Sequence, residues 1–114
     1  MMNEVWLIGR LTKDPEERQT PGGKTVTKMT LAVDRDYENS EGERETDFVD
    51  VIAWEKLAEN CVKYLGKGRL VSVRGRLQIR SYDDSQGIRR KAAEVVAEKV
   101  KFLDKAKESN NEHK

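Results

Sequence analysis

Residues 47–77 have the sequence DFVDVIAW-EKLAENCVKYLGKG-RLVSVRGRL, a pattern that predicts a strand, one short helix and a second strand. The helix is predicted from about Glu55 to Leu65, where apolar residues recur at three- and four-residue spacing, and Gly66 is in position to end it. The rest of the chain alternates as strands and turns, so this helix interrupts an otherwise all-β protein. The strand before the helix carries two large aromatic residues, and the strand after it carries a row of arginines.

The composition is that of one charged domain. The chain has 114 residues, of which 36% are hydrophobic and 38% charged. It contains neither an apolar run of about 20 residues nor a signal peptide, so we expect a cytoplasmic location and no membrane contact. One cysteine, Cys61, excludes an internal disulfide and has the spacing of a core residue. The only histidine, His113, lies near the end, so we expect no metal site, no cofactor, no catalytic triad and no enzyme.

Charge is segregated along the chain, although the net charge is only +1. Residues 34–50 hold eight acidic and two basic side chains, whereas residues 62–91 hold nine basic and two acidic ones. This asymmetry favours a basic surface that faces a polyanion. The alternative is that the two segments neutralise each other on one surface.

The order of the predicted elements indicates the architecture. Strands are predicted at 4–11, 25–34, 46–54, 71–82 and 88–103, with turns at 20–24, 39–42 and 83–87. The alternation of the last strand is unclear after Ala93, which predicts a bulge or a short irregular piece there. A helix between the third and fourth strands of such a set predicts a five-stranded Greek-key barrel, the OB-fold. We expect the barrel to occupy residues 1–103 and a short disordered charged tail to occupy residues 104–114. The first strand is apolar on both faces, and a second copy of the chain is the simplest cover for it.

The alternation of the third strand separates a core face from an open face. Val49, Val51 and Ala53 share one face and suit a core. Phe48 and Trp54 share the other face with Asp50, which predicts that this face is exposed. The alternative is that both aromatics lie under a loop or in an oligomer contact.

The fourth strand shows the same separation. Val71, Val73, Leu77 and Ile79 lie on one parity, with Gly75 making room between them. The other parity is basic and ends in an aromatic: Arg74, Arg76, Arg80 and Tyr82.

Spaced aromatics beside basic side chains are typical of a surface that binds single-stranded nucleic acid, because bases stack on rings and phosphates pair with cations. We predict that the stacking residues are Tyr37, Phe48, Trp54 and Tyr82, and that the residues contacting the backbone are Lys56, Lys67, Arg74, Arg76 and Arg80. Duplex DNA fits less well, since no basic helix is available for a major groove.

These residues resemble the bacterial single-stranded DNA-binding protein family over residues 2–103. The stretches that carry the resemblance are VWLIGRL with DPE (5–11, 14–16), TLAV (30–33), WEKLAE (54–59), YLGKG (64–68), VRGRL (73–77) and EVV (94–96). The resemblance implies a homotetramer of OB-folds whose first strands pair, so we expect an oligomer interface at Val5, Trp6, Leu7 and Ile8.

The resemblance also implies the roles of individual residues. Aromatics at the positions of Tyr37, Phe48, Trp54 and Tyr82 stack on bases in this family, and basic residues at Lys56, Lys67 and Arg80 meet the backbone. Tyrosine or phenylalanine stands here at three places where tryptophan is common. Glu4 stands where a lysine is common, and Arg74 and Arg76 are assigned from strand parity alone.

The expected function is sequence-independent binding and protection of single-stranded DNA in replication, recombination and repair, associated with the nucleoid. Family members usually end in an acidic, aromatic tip that recruits enzymes; this chain stops at Lys114, so we do not expect such recruitment. Three alternatives stay open: a tailless paralogue for DNA uptake and recombination, a dimeric interaction module of the replication-restart type, and binding of RNA.

Overall fold

The computed structural model describes Met1–Asp104, and within those residues it contains six strands and one helix. In chain order they are β1 (Val5–Leu11), β2 (Glu16–Gln19), β3 (Thr25–Glu38), β4 (Arg44–Trp54), α1 (Glu55–Tyr64), β5 (Leu70–Asp83) and β6 (Arg89–Phe102). Residues 105–114, most of the predicted tail, lie outside the described part. No helix within Met1–Asp104 is long and apolar enough to span a bilayer.

Five of the strands close into a barrel. β1 pairs with β5, β5 with β6, β6 in parallel with β4, and β4 with β3. The ring closes where Arg10 and Leu11 of β1 pair with Ala32 and Leu31 of β3. The predicted OB-fold is therefore confirmed.

The short strand β2 was not predicted from the sequence. It pairs with Thr25–Lys28 of β3. One edge of β3 is occupied by β4, so β2 lies along the other edge, which β1 occupies further along the strand. β2 thus extends the line of β1 after the break at Asp14-Pro15. Counting it places the helix between β4 and β5, although its position in the chain is as predicted.

The barrel interior is filled from alternate strand positions, and the helix covers one end. The fully buried side chains include Met29, Val51, Ala53 and Val73 on the strands; the whole buried cluster is Leu11, Met29, Leu31, Val51, Ala53, Ala58, Cys61, Leu65, Val71, Val73, Val95 and Ala97. The core positions predicted at Val51, Ala53 and the first half of the fourth strand are thereby confirmed, and Val49 packs half-buried against the cluster.

The helix ends one residue earlier than predicted. Leu65 is extended, with φ −111° and ψ 154°. The left-handed glycine is Gly68 (φ 89°), not Gly66. The hydroxyl of Thr27 donates to the carbonyl oxygen of Ala58 at 3.3 Å and ties the helix to the barrel wall.

The three predicted turns share one design. Thr20, Asn39 and Asp84 each begin a turn, and the side-chain oxygen of each accepts a hydrogen bond from the backbone N–H four residues later. The fourth residue of each turn is a glycine with φ between 77° and 89°, a conformation that costs other residues free energy. The hydrogen bond from Ile88 N–H to Asp84, followed by that from Arg90, holds the pKa of the Asp84 carboxyl below its usual range.

Both long hairpins project beyond the core. Leu77 and Ile79 have the core parity of β5, yet they are exposed because the β5–β6 hairpin outruns the interior. The bulge predicted in the last strand lies opposite the step from Arg74 to Gly75, where β6 inserts the extra residue Glu98. A Cβ atom on Gly75 would overlap the carbonyl of Val96, so the room predicted at Gly75 is needed at the point where these strands cross closely.

Candidate nucleic-acid interface

The outer face of β4 presents the two aromatic side chains predicted there. Val51 and Ala53 point inward and are fully buried, so the intervening positions point outward. Phe48 is 69% exposed and Trp54 is 41% exposed. Six residues of extended strand separate them by about 20 Å, a length that suits a ligand several nucleotides long.

Trp54 lies in an open groove of about 480 Å³. Its cross-strand neighbour is Val26, which has the outward parity of β3 but is covered and only 7% exposed. The β2–β3 turn forms one rim, and the β5–β6 hairpin forms the other: the groove is lined by Arg18, Gln19, Thr20, Pro21, Val26, Ile52, Trp54, Gln78, Arg80 and Glu94.

Two carboxylates lie beside this groove, and a cation flanks each of them. Asp50 of β4 and Glu94 of β6 are directly paired positions on parallel strands. Lys28 Nζ lies 3.8 Å from Asp50, and the Nε of Arg80 donates to Glu94 at 3.1 Å. The outer sheet face therefore carries two adjacent anions flanked by cations, and its charge is not uniformly basic.

The two charged segments pair mostly within themselves. Arg35 donates to Asp47 and Glu45 inside the acidic segment. Its hydrogen bond and charge hold the pKa of Asp47 below the usual range, and the pKa of Arg35 is raised in turn. Arg89 and Arg90 pair with the acidic residues of their own turn. Within Met1–Asp104, no ion pair joins residues 34–50 to residues 62–91, which disfavours mutual neutralisation.

A different outer face belongs to β1. Trp6 and Ile8 are 68% and 59% exposed, and the indole N–H of Trp6 donates to Glu4 at 2.9 Å. β5 pairs with β1 from Val5 to Arg10, whereas β3 reaches only Arg10 and Leu11, so the far edge of β1 is free from Val5 to Gly9 in the described part of the chain. An apolar groove of about 600 Å³ lies along this strand, lined by Trp6, Leu7, Ile8, Val33, Asp34, Asp36, Ser72, Lys101 and Leu103.

Comparison with known proteins identifies the family. Residues 2–103 match the profile of the single-strand binding protein family. The chain belongs to that family.

Curated relatives are similar over almost the whole chain. The single-stranded DNA-binding protein of Halalkalibacterium halodurans is 53% identical over 104 residues, which are 91% of this chain and 62% of that protein. Single-stranded DNA-binding protein 2 of Staphylococcus aureus (strain COL) is 54% identical over 91% of this chain and 75% of its own length. Single-stranded DNA-binding protein 3 of Clostridium acetobutylicum is 51% identical over 96% and 76% respectively. This chain thus spans roughly three-fifths to three-quarters of these relatives' length.

The four predicted stacking residues lie on one strand, β4, and on two hairpin arms. Phe48 and Trp54 share the face of β4 described above. Tyr82 lies on the β5–β6 arm, with its ring 5.3 Å from the guanidinium carbon of Arg80. Tyr37 is exposed on the β3–β4 arm, beyond a register shift between Asp34 and Glu38, so its face does not follow from strand parity.

The predicted backbone contacts fall into two groups. Lys56 follows Trp54 closely in the first turn of the helix, and Lys67 follows the helix, where its backbone N–H donates to Asp14 at 2.8 Å. Both side chains are exposed. Arg80 lines the Trp54 groove, and Arg76 donates to Gln78 on the rim of that groove. Lys56 and the two arginines thus lie near the aromatic face, whereas Lys67 lies beyond the far end of the helix.

Arg74 lies elsewhere. It is the cross-strand partner of Trp6, and its guanidinium carbon is 5.8 Å from the Trp6 ring. Its Nε is buried without a hydrogen-bond partner among the described residues. The alternation of β5 suggested that Arg74 faces the same way as Arg76 and Arg80. β5 pairs with β1 only from Leu70 to Gly75, so Arg74 lies beside β1, whereas Arg76 and Arg80 lie beyond the end of that strand.

Sequence reasoning missed several residues of the groove. Arg18 lies on β2, whose sequence EERQ has no apolar residue to reveal a strand. Ile52, and its cross-strand partner Lys28 beside the groove, already had the outward parity of β4 and β3, so parity was a signal for both. Glu94 lies where the alternation of β6 is unclear, and only its charge at a buried position marks it as unusual.

Proposed function

We propose that this protein binds and protects single-stranded DNA without sequence preference, in replication, recombination and repair. The observation that carries the proposal is Trp54, a large aromatic side chain exposed in a groove that cations border on both rims. The cytoplasmic, nucleoid-associated location expected from the sequence is part of the same proposal.

In the proposed complex, bases stack on Trp54 and Phe48, and the strand continues towards Tyr82 and Tyr37 on the two arms. Each stacked base contributes about 1–3 kcal/mol and any base can stack, so the site has little preference for sequence. Nothing in this face resembles the helix that reads a major groove.

Phosphates are contacted by cations at the edges of the aromatic face. Lys56 and Lys67 are exposed and take part in no ion pair within the described residues. Arg76 and Arg80 supply planar guanidinium groups, which suit phosphate oxygens. Lys28 and Arg18 extend this set to β3 and β2, although Lys28 is shared with Asp50.

We further propose that the protein is a homotetramer and that Val5, Trp6, Leu7 and Ile8 form an interface between protomers. The open edge of β1 and the exposure of Trp6 and Ile8 support this proposal, because a free apolar edge strand invites pairing with another chain. Arg74 belongs to this surface by its contact with Trp6. Light scattering should give four times the mass of one chain, and Ile8→Glu should reduce it.

The binding proposal is tested by fluorescence anisotropy of labelled oligo-dT. We expect Trp54→Leu to weaken binding by about tenfold, the equivalent of about 1.4 kcal/mol, whereas Trp54→Phe, which keeps an aromatic face, should lose much less. The logarithm of affinity should fall with the logarithm of salt concentration by about 0.7 for each phosphate contact, and Lys56→Ala should reduce that slope. Affinity that is independent of both salt and Trp54 would contradict the proposal, and oligo-U as competitor measures any use of RNA.

A further inference from the structure

Glu94 places a carboxylate on the surface proposed to bind a polyanion. Its side chain is only 10% exposed, in the wall of the Trp54 groove. A buried carboxylate is costly unless it is paired, and here it also faces the approach of phosphates. This carboxylate therefore acts through the side chain with which it pairs.

That side chain is Arg80. The Nε of Arg80 donates to Glu94 Oε2 at 3.1 Å, and the guanidinium carbon lies 5.3 Å from the centre of the Tyr82 ring. The hydrogen bond to Glu94 fixes one edge of the guanidinium, and the contact with the Tyr82 ring fixes one of its faces. Among Met1–Asp104, neither terminal nitrogen of Arg80 makes a hydrogen bond. The end formed by the two terminal nitrogens is thus left free, and its two parallel N–H donors can bind a phosphate in a bidentate manner.

Glu94 is itself held by its place in the sheet. It lies on β6 between Asp50 of β4 and Gln78 of β5, which are its paired positions on either side. Lys28 pairs with Asp50, so the neighbouring carboxylate is offset by a different cation. Glu94 is therefore a rigid anchor, whereas Arg80 on its own is a flexible side chain with half of its surface in solvent.

We propose that Glu94 is a positioning residue for single-stranded DNA: it holds Arg80 by Nε so that the two terminal nitrogens face a phosphate beside Trp54. This inference rests on the proposed function and adds a residue that acts through Arg80. It predicts a change in DNA affinity opposite in sign to the change expected from charge alone. Removing a negative charge from a DNA-binding face should strengthen binding if charge alone matters, but here it should weaken binding.

A second ion pair on the same hairpin provides a matched control. Arg89 donates by its Nε to Asp83 at 2.9 Å, the same arrangement, but both side chains are at least 60% exposed and lie outside the groove. Asp83→Asn removes one negative charge from the arm without disturbing the groove. It should leave affinity equal to that of the unaltered protein or slightly higher.

The test is anisotropy of labelled oligo-dT with the full chain at fixed salt. We expect Glu94→Ala to weaken binding by about three- to tenfold and Glu94→Gln, which keeps an acceptor oxygen, to lose less. In an Arg80→Ala background, Glu94→Ala should cause no further loss of affinity, because nothing is left to position. Equal or tighter binding by Glu94→Ala, or an undiminished loss in the Arg80→Ala background, would overturn the inference.

Arg80→Lys keeps the test decisive if Glu94→Ala does not fold, as its thermal melting curve would show. Lysine keeps the charge but has no second donor edge, and its ammonium pairs with Glu94. It should lose as much affinity as Arg80→Ala; binding equal to that of the unaltered protein would overturn the inference. Failure of the unaltered protein to bind oligo-dT would refute the proposed function instead, so the two failures are distinguishable.

Discussion

The guanidinium of Arg69 donates to the carboxylate of Asp104 at 2.6 Å, across 35 positions of the chain. Asp104 also accepts from the backbone N–H of Leu70 at 3.1 Å, and Arg69 is only 6% exposed. The end of β6 is thereby fastened to the start of β5. Asp104 belongs to the folded domain, one residue beyond the boundary expected from the sequence at Leu103.

This ion pair predicts sensitivity to acid. Partial desolvation acts to raise the pKa of Asp104, but the hydrogen bonds from Leu70 and Arg69 outweigh it, and the pKa is lowered overall. The folded protein therefore binds fewer protons than the unfolded chain near the usual aspartate pKa of about 3.9. The stabilisation is complete above that value and is lost as the pH falls through the lower folded-state pKa.

We expect Asp104→Asn to lower the thermal midpoint at pH 7 and to lower it progressively less as the pH falls below the usual aspartate pKa, because the native carboxyl then becomes protonated. Melting curves over a series of pH values from 7 downwards check this, with Glu41→Gln on the exposed turn as control. A shift that is the same at every pH would contradict the assigned ion pair.

Close approach of two strands predicts that Gly9 cannot be replaced by alanine without cost. A Cβ atom there would lie 2.6 Å from the backbone oxygen of Ala32, where β1 and β3 close the barrel. We expect Gly9→Ala to lower the free energy of unfolding by roughly 1–3 kcal/mol, measured with urea at one protein concentration. Gly22→Ala is the control, because its nearest neighbour is 3.9 Å away, and it should be neutral or stabilising by up to about 1 kcal/mol. Equal losses would exclude the steric explanation.

The thiol of Cys61 should be inert in the folded protein. Its side chain is buried under the helix, and this burial raises its pKa to about 11. At pH 8 only about one thiol in a thousand is then ionised, and the thiolate is the reactive form. A disulfide reagent should label Cys61 at the rate of unfolding in buffer and at once in guanidinium chloride. Rapid labelling of the native protein would contradict its place in the core.

The part of the fold that could be predicted from sequence is the part where one side of a strand is buried. On β4 the residues alternate between apolar ones, Val51 and Ala53, and a set that includes the charged Asp50. Only one assignment of the buried face is consistent with this alternation, because a shift by one residue would bury Asp50 and expose Val51. The helix stripe is equally constrained, and Cys61 followed from it. These features determine both the barrel and the aromatic face.

Features that depend on contacts distant in sequence could not be predicted. β2 has no buried residue of its own and exists through its pairing with β3. The position of Arg74 beside Trp6 depends on the register of β5 with β1, which a count along β5 cannot detect. The pairing of Glu94 with Arg80 requires the register of β5 and β6, so the residue that we propose positions an arginine looked like any acidic residue.

Emission from Trp54 tests the central claim most directly. The chain has two tryptophans, and Trp6→Phe makes Trp54 the only emitter. We predict that oligo-dT quenches this emission with the same midpoint as the anisotropy titration, because bases stack on the indole ring. Binding detected by anisotropy with Trp54 emission unchanged would show that DNA does not use this face.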